Sequence, residues 1–159
     1  MTAPLVKFLE TDRNVIAAET TLTARAEDVY ALVANPARHA ELDGGGTIQN
    51  LNKGEDAEFK EGDTFSQKMV LGITYTLPMT VTRAEKNRAV TWLHPGKHTW
   101  AWDIFDNHDG TVTVRETFDA RNSVIAGIPL HKLYHLLGSF SANRKNIALS
   151  LAKLHRIFS

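Results

Sequence analysis

The sequence predicts an α+β fold in which a curved antiparallel sheet of about six to seven strands wraps around a long C-terminal helix. Two patterns carry this prediction. Between residues 46 and 120, apolar and polar residues alternate with a period of two, which is typical of antiparallel strands with one covered face. From 130 to 158 the apolar residues instead recur every three or four positions, as in an amphipathic helix. We expect one domain spanning residues 1–159.

The N-terminal part predicts one strand followed by two short helices. Residues 14–24 are rich in β-forming residues and predict the first strand. A helix follows, because Val29, Leu32 and Val33 fall at helical spacing, acidic residues occupy the first turn, and Pro36 ends it. A second short helix is predicted over 39–42.

The middle of the chain predicts the remaining strands. The alternation in TYTLPMTVT places Tyr75, Leu77 and Met79 on one face. In HTWAWDIF, Trp100 and Trp102 are two residues apart and therefore share a face. The connections EKNR, HPGK and NHDGT have the composition of turns. By alternation, the covered face carries Phe65, Gln67, Met69, Tyr75, Leu77, Met79, Val81, Trp92, His94, His98, Trp100, Trp102, Ile104, Val112, Val114, Glu116 and Phe118.

The composition excludes several classes of function. The chain has no cysteine, which rules out disulfides, thiolate metal sites and cysteine nucleophiles and fits a cytoplasmic location. Its 18 basic and 18 acidic residues balance, whereas nucleic-acid binders usually have a basic excess. No apolar run predicts a signal peptide or a membrane span. His131 and His135 share a helix face without a third ligand, so we predict no metal, and no motif predicts a cofactor.

Several stretches together resemble a known superfamily. They are TARAEDVYALVANPARHAEL, the pair LDGGG and EGDTF, and NRAVTWLHPGKHTWAWDIFDNHDGTVTVRETFD, followed by the closing helix. In this order they resemble the helix-grip superfamily of START domains, birch-pollen-type allergens and bacterial polyketide cyclases, often labelled SRPBCC. The resemblance covers nearly the whole chain. It implies an internal apolar cavity between the sheet and the C-terminal helix, but it implies no single activity.

Within that cavity the sequence leaves two interpretations of the tryptophans open. They pack the core, as aromatic residues commonly do, or they line a binding pocket. The pocket interpretation, which includes residues of the last helix, predicts a ligand-binding set of Gln67, Met69, Tyr75, Met79, Trp92, His94, Trp100, Trp102, Glu116, Leu137, Phe140 and Arg144.

Two charged residues stand out among the apolar positions. Glu116 lies on the covered face of a strand, and Arg144 interrupts the apolar stripe of the last helix. If they meet across the cavity, they form either a structural salt bridge or a polar anchor for a ligand. If the strand register is shifted by one residue, Glu116 faces water and Arg115 faces inward.

Three functions follow as hypotheses. The first is a binding protein, a carrier or sensor that holds a small lipophilic molecule. The second is a polyketide cyclase or dehydratase that uses the same cavity, with Tyr75, Glu116 and Arg144 as catalytic candidates. The third is a protein-interaction domain like the chaperone-ATPase activators of the superfamily. The first predicts a small lipophilic ligand as the partner, and either a monomer or a homodimer suits it.

Overall fold

A computed structural model describes residues 5–35, 48–50, 59–71, 73–125, 127–129, 132 and 138–158. Its main element is an eight-stranded antiparallel sheet with the order β1-β2-β8-β7-β6-β5-β4-β3. The strands are β1 Lys7–Phe8, β2 Val15–Leu22, β3 Ile48–Asn50, β4 Thr64–Leu71, β5 Ile73–Glu85, β6 Ala89–Leu93, β7 Thr99–Asp106 and β8 Val112–Asp119.

The sheet confirms the predicted antiparallel meander. From β3 to β8, each strand is hydrogen-bonded to the next one in the chain, while β2 lies beside β8. β1 and β3, with two and three residues, add short edges to the predicted number of strands. Because β1 and β3 form opposite edges, the sheet is open and does not close into a barrel. The α+β class and the curved sheet are therefore confirmed.

One face of the sheet is apolar and buried. We call the inner face the side that carries the even-numbered residues of β2, β6, β7 and β8. In β8 these residues are buried and the odd-numbered ones are half-buried, as expected for a strand with a period of two. Arg115 faces outward, where its guanidinium contacts Glu19 at 3.3 Å. The strand register is therefore the predicted one, with Glu116 on the inner face.

Helix α1, Ala26–Val33, covers part of the inner face. Glu27 and Asp28 lie in its first turn, where negative charge is favourable next to the helix dipole. Its buried residues are Val29, Tyr30, Leu32 and Val33, and the helix packs against β7. The second helix predicted over 39–42 lies outside the described residues.

Helix α2, Ser139–Ile157, packs against β2 and β8. Its buried positions include Ile147, Leu151 and Leu154, which follow the predicted spacing. The prediction that one continuous helix begins near residue 130 was wrong, because the closing helix begins at Ser139. Gly138 has a φ of 72°, a left-handed conformation that no residue inside an α-helix adopts, so α2 begins after it. No helix among the described residues is long and apolar enough to span a membrane.

A separate two-stranded ribbon follows the main sheet. Its strands are β9 Val124–Ile125 and β10 Ile128–Pro129, which pair antiparallel. The backbone N–H of Val124 donates a hydrogen bond to the carbonyl oxygen of Gly96 at 3.0 Å. This bond joins the ribbon to the turn between β6 and β7.

Candidate functional site

Residues of the inner face form rows that cross the strands. In one row Ala18 pairs with Glu116, Glu116 with Trp102, and Trp102 with Val90. All four are buried, and Glu116 is only 5% exposed. A carboxyl group among apolar neighbours is costly to bury, which makes Glu116 a candidate functional residue as well as a structural one.

The adjacent row contains the other two tryptophans. Phe118 pairs with Trp100, and Trp100 pairs with Trp92, so all three tryptophans of the chain lie on the same face of the sheet. The inner-face positions of β2, β6, β7 and β8 are buried except for two in β7: Trp100 is half-buried, and Asp106, the last residue of the strand, is exposed. Among the apolar residues at these positions, Trp100 is therefore the most exposed.

Trp92 belongs to a packed aromatic cluster. Its ring centroid lies 5.9 Å from that of Phe65 and 6.2 Å from that of Phe59, and the rings of Phe59 and Phe65 are 4.5 Å apart. All three are buried, as is Met79, which pairs with Phe65. Trp92 thus has the contacts of a core residue. Phe59 was not predicted, because it is an isolated apolar residue in the charged stretch EDAEFKEGD.

Trp100 faces a second aromatic group. Its ring lies 4.9 Å from Phe118, and Phe118 contacts Phe140 of α2 edge-on at 5.6 Å. His98 also contacts Phe118, at 5.1 Å, and stacks on His94 with ring centroids 4.0 Å apart. We call these five residues, Trp100, Phe118, Phe140, His94 and His98, the aromatic wall.

The turn between β6 and β7 fixes both histidines. The backbone N–H of His94 donates to the carbonyl oxygen of His98 at 2.9 Å, and the N–H of Lys97 donates to the carbonyl oxygen of His94 at 2.8 Å. Lys97 has a φ of 62°, which closes the turn tightly enough to bring the two rings together. The N–H of Gly96 donates to Nδ1 of His94 at 2.9 Å.

Both histidines are neutral near pH 7. Burial lowers the pKa of His94 to about 4. Burial, and then the neighbouring His94, lowers the pKa of His98 to about 3. The aromatic wall therefore carries imidazole rings without positive charge.

Arg144 is not placed as predicted. Its side chain is exposed, and its guanidinium carbon lies 3.8 Å from the ring centroid of Phe8 in the edge strand β1. Long cationic side chains cover apolar surface with their stems while the charged group stays in water, which explains how a charge occupies the apolar stripe of a helix. The expectation that Arg144 is buried in the cavity was therefore wrong.

This contact leads to a first prediction. Arg144→Ala is expected to lower the free energy of unfolding by about 0.5–1 kcal/mol through loss of the contact with Phe8, measured by urea denaturation. The matched control is Lys145→Ala, an exposed neighbour on the same helix, which should have no effect. A change in ligand affinity without a change in stability would contradict the assignment of Arg144 to this structural contact.

Four predicted site residues have no described side chains. Gln67, Met69 and Tyr75 lie in the β4–β5 ladder, where Gln67 pairs with Leu77 and Met69 with Tyr75. Leu137 lies outside the described residues. His131 and His135 also lie outside them, and the described residues contain no group of three or more potential metal ligands.

A concave surface lies near α1. It is an open groove of about 470 Å³, and the ammonium group of Lys86 lies 5.5 Å from the ring centroid of Tyr30 there. Its openness to solvent and its charged residues suit an apolar ligand less well than the aromatic wall does. The groove is lined by Tyr30, Phe59, Lys60, Glu61, Ala84 and Lys86.

Comparison by sequence finds uncharacterised relatives of this chain. No protein-family profile matches the chain. An uncharacterised protein of Mycobacterium tuberculosis is 39% identical over 137 residues, which cover 84% of this chain and 59% of the relative. The chain therefore spans about three fifths of the length of this curated relative.

Solved structures align along most of the chain. A protein from Rhodobacter sphaeroides aligns with a TM-score of 0.70 and 14% identity over 96% of both chains. A polyketide-cyclase-like protein from Corynebacterium glutamicum gives 0.56 and 19% over 90% of both. The Aha1 dimer of Colwellia psychrerythraea gives 0.55 and 13% over 91% of this chain and 95% of that one. The chain therefore has the fold that these structures share, the helix-grip fold.

Proposed function

We propose that the protein binds a small lipophilic molecule against the aromatic wall. The observation that carries this proposal is the half-buried Trp100, since the other apolar residues at the inner-face positions of β2, β6, β7 and β8 are buried. An apolar ligand seated there removes aromatic surface from water, and such burial contributes about 25 cal/mol per Å². Glu116, in the adjacent row, supplies a polar group beside the same surface.

The wall suits binding for a further reason. Three aromatic rings lie at 4.9 to 5.6 Å from the ring of Phe118, namely those of His98, Trp100 and Phe140. Binding pockets for small molecules are mostly apolar and aromatic with a few polar groups that fix the orientation of the ligand. The arrangement joins one residue of α2 to two strands, so a ligand there would contact both sheet and helix.

The proposal is tested by tryptophan fluorescence. Purified protein stripped of bound lipid is titrated with fatty acids, sterols, flavonoids, quinones and aromatic polyketides. We expect a saturable one-to-one change for at least one class. Trp100→Phe should remove most of that change, whereas Trp102→Phe should retain it, because Trp102 lies on the same strand and face but is 4% exposed.

Two results would count against binding at this surface. One is the absence of a saturable change with every class of compound. The other is an equal loss of signal in the Trp100→Phe and Trp102→Phe variants, which would place the ligand elsewhere. Both results would favour the interpretation of the tryptophans as packed core, and the first would also direct attention to a protein partner.

We also propose catalysis as the second candidate function, since Glu116 places a carboxyl group beside the aromatic wall. A cyclase or dehydratase of this fold needs a base to remove a proton from its substrate, and a carboxyl in apolar surroundings suits that role. Glu116→Gln is then expected to abolish turnover of an aromatic polyketide substrate while ligand affinity is retained. Turnover that survives this substitution would remove Glu116 from the catalytic candidates.

A further inference from the structure

The aromatic wall contains a hydrogen-bond donor whose identity is fixed by the backbone. Nδ1 of His94 accepts the N–H of Gly96 at 2.9 Å, so this nitrogen carries the lone pair. A neutral imidazole has one proton, which must then reside on Nε2. Within the described part of the chain, Nε2 of His94 has no hydrogen-bond partner.

Trp100 provides a second donor on the same surface. Its indole N–H has no acceptor among the described residues, and the side chain is half-buried. Trp100 and the His94–His98 stack both lie against Phe118, at 4.9 Å and, through His98, at 5.1 Å, and His98 is two residues before Trp100, so their side chains share a face. A ligand that covers this surface would displace water from both donors, and an acceptor on the ligand would replace those hydrogen bonds.

The described inner-face positions of four strands carry no basic side chain. The inner-face positions of β2, β6, β7 and β8 contain no lysine or arginine, and Glu116 lies two residues from Phe118 on β8. The lowered pKa of His94, about 4, keeps that ring neutral at pH 7. An anionic group would be desolvated here beside an acidic residue and without a counter-ion at these described strand positions, which is unfavourable.

We propose, on the basis of the proposed binding function, that His94 and Trp100 select ligands with an uncharged carbonyl oxygen. Nε2–H of His94 and the indole N–H of Trp100 both donate to that oxygen, while the aromatic wall covers the apolar body of the ligand. The ligand class is therefore a neutral ketone, quinone or ester, and carboxylate or phosphate lipids are disfavoured.

Three rigid compounds of one shape test the inference: fluorenone, fluorene and fluorene carboxylate. Their dissociation constants are measured by equilibrium dialysis at pH 7, a method that does not depend on tryptophan emission. The quantity of interest is the preference, the dissociation constant of fluorene divided by that of fluorenone. His94→Phe is expected to lower this preference about fivefold, and Trp100→Phe to lower it by a similar factor. His108→Phe is the control, since His108 is 87% exposed in another turn.

The outcomes separate this inference from the binding function. A preference that is unchanged in both His94→Phe and Trp100→Phe overturns the inference, although saturable binding of fluorene would still support a lipophile site. Fluorene carboxylate binding as tightly as fluorenone also overturns it. Should none of the three compounds bind saturably, the proposed function fails together with the inference. If His94→Phe does not fold, the Trp100→Phe variant still decides the test, because Trp100 lies outside the turn between β6 and β7 that His94 helps to form.

Discussion

Replacing Leu151 with alanine is expected to lower the free energy of unfolding by about 2–5 kcal/mol. Leu151 is completely buried in α2, which packs against β2 and β8. The substitution removes apolar contacts and leaves a cavity that rigid neighbouring strands fill only in part. Since domains are typically stable by about 5–15 kcal/mol, this single change removes a large fraction of the total.

The measurement is urea denaturation followed by circular dichroism. The control is Leu149→Ala on the same helix, where the side chain is 38% exposed and the expected change is within about 0.5 kcal/mol. Both variants lose the same atoms, so the difference between them isolates burial. Equal losses in the two variants would contradict the packing of α2 through Leu151.

Acid is expected to destabilise the protein through its buried histidines, in a pH range above that of most carboxylates. In the folded state burial lowers the pKa of His98 to about 3 and that of His94 to about 4, against an ordinary value of 6.5. Below pH 6.5 the unfolded chain therefore binds protons that the folded chain excludes. The stability is fully present above pH 6.5 and decreases as the pH falls towards the folded pKa values. At pH 5 the loss attributable to His98 is about 2 kcal/mol.

This effect is measured as the free energy of unfolding at several values between pH 7.5 and pH 5. His98→Gln should make the dependence on pH clearly shallower, because the titrating group is gone. His108→Gln should leave it unchanged, since His108 is 87% exposed. Parallel curves for the wild type and His98→Gln would contradict the burial of a neutral His98.

The sequence predicted the strands most accurately where they pair without interruption. All eight residues of β8 pair in register with both β2 and β7, so simple alternation placed Glu116 on the inner face. The β5–β6 pair contains a register shift between Val81 and Arg83, which alternation cannot detect. Local periodicity is therefore sufficient for a regular ladder and insufficient at a bulge.

The parts that were not predicted depend on contacts between distant segments or on backbone geometry. The position of Arg144 depends on Phe8, which is far away in the sequence. The start of α2 depends on the left-handed conformation of Gly138, although apolar spacing continues through that point. The stacking of His94 on His98 depends on a turn closed by Lys97 at positive φ. None of these features has a periodic signature in the sequence.

The pairing of β2 with β8 has a consequence for how the chain is made. Val15 pairs with Asp119 and Leu22 with Val112, so the partners are separated by on the order of 100 residues. Ribosomes add about 5–20 residues per second, which means that β2 emerges about 5–20 s before β8 can reach it. In that interval the one strand already synthesised that is a neighbour of β2 in the described sheet is the two-residue β1. A nascent β2 is therefore an exposed strand edge, and co-translational chaperone binding is expected to concentrate on this N-terminal segment.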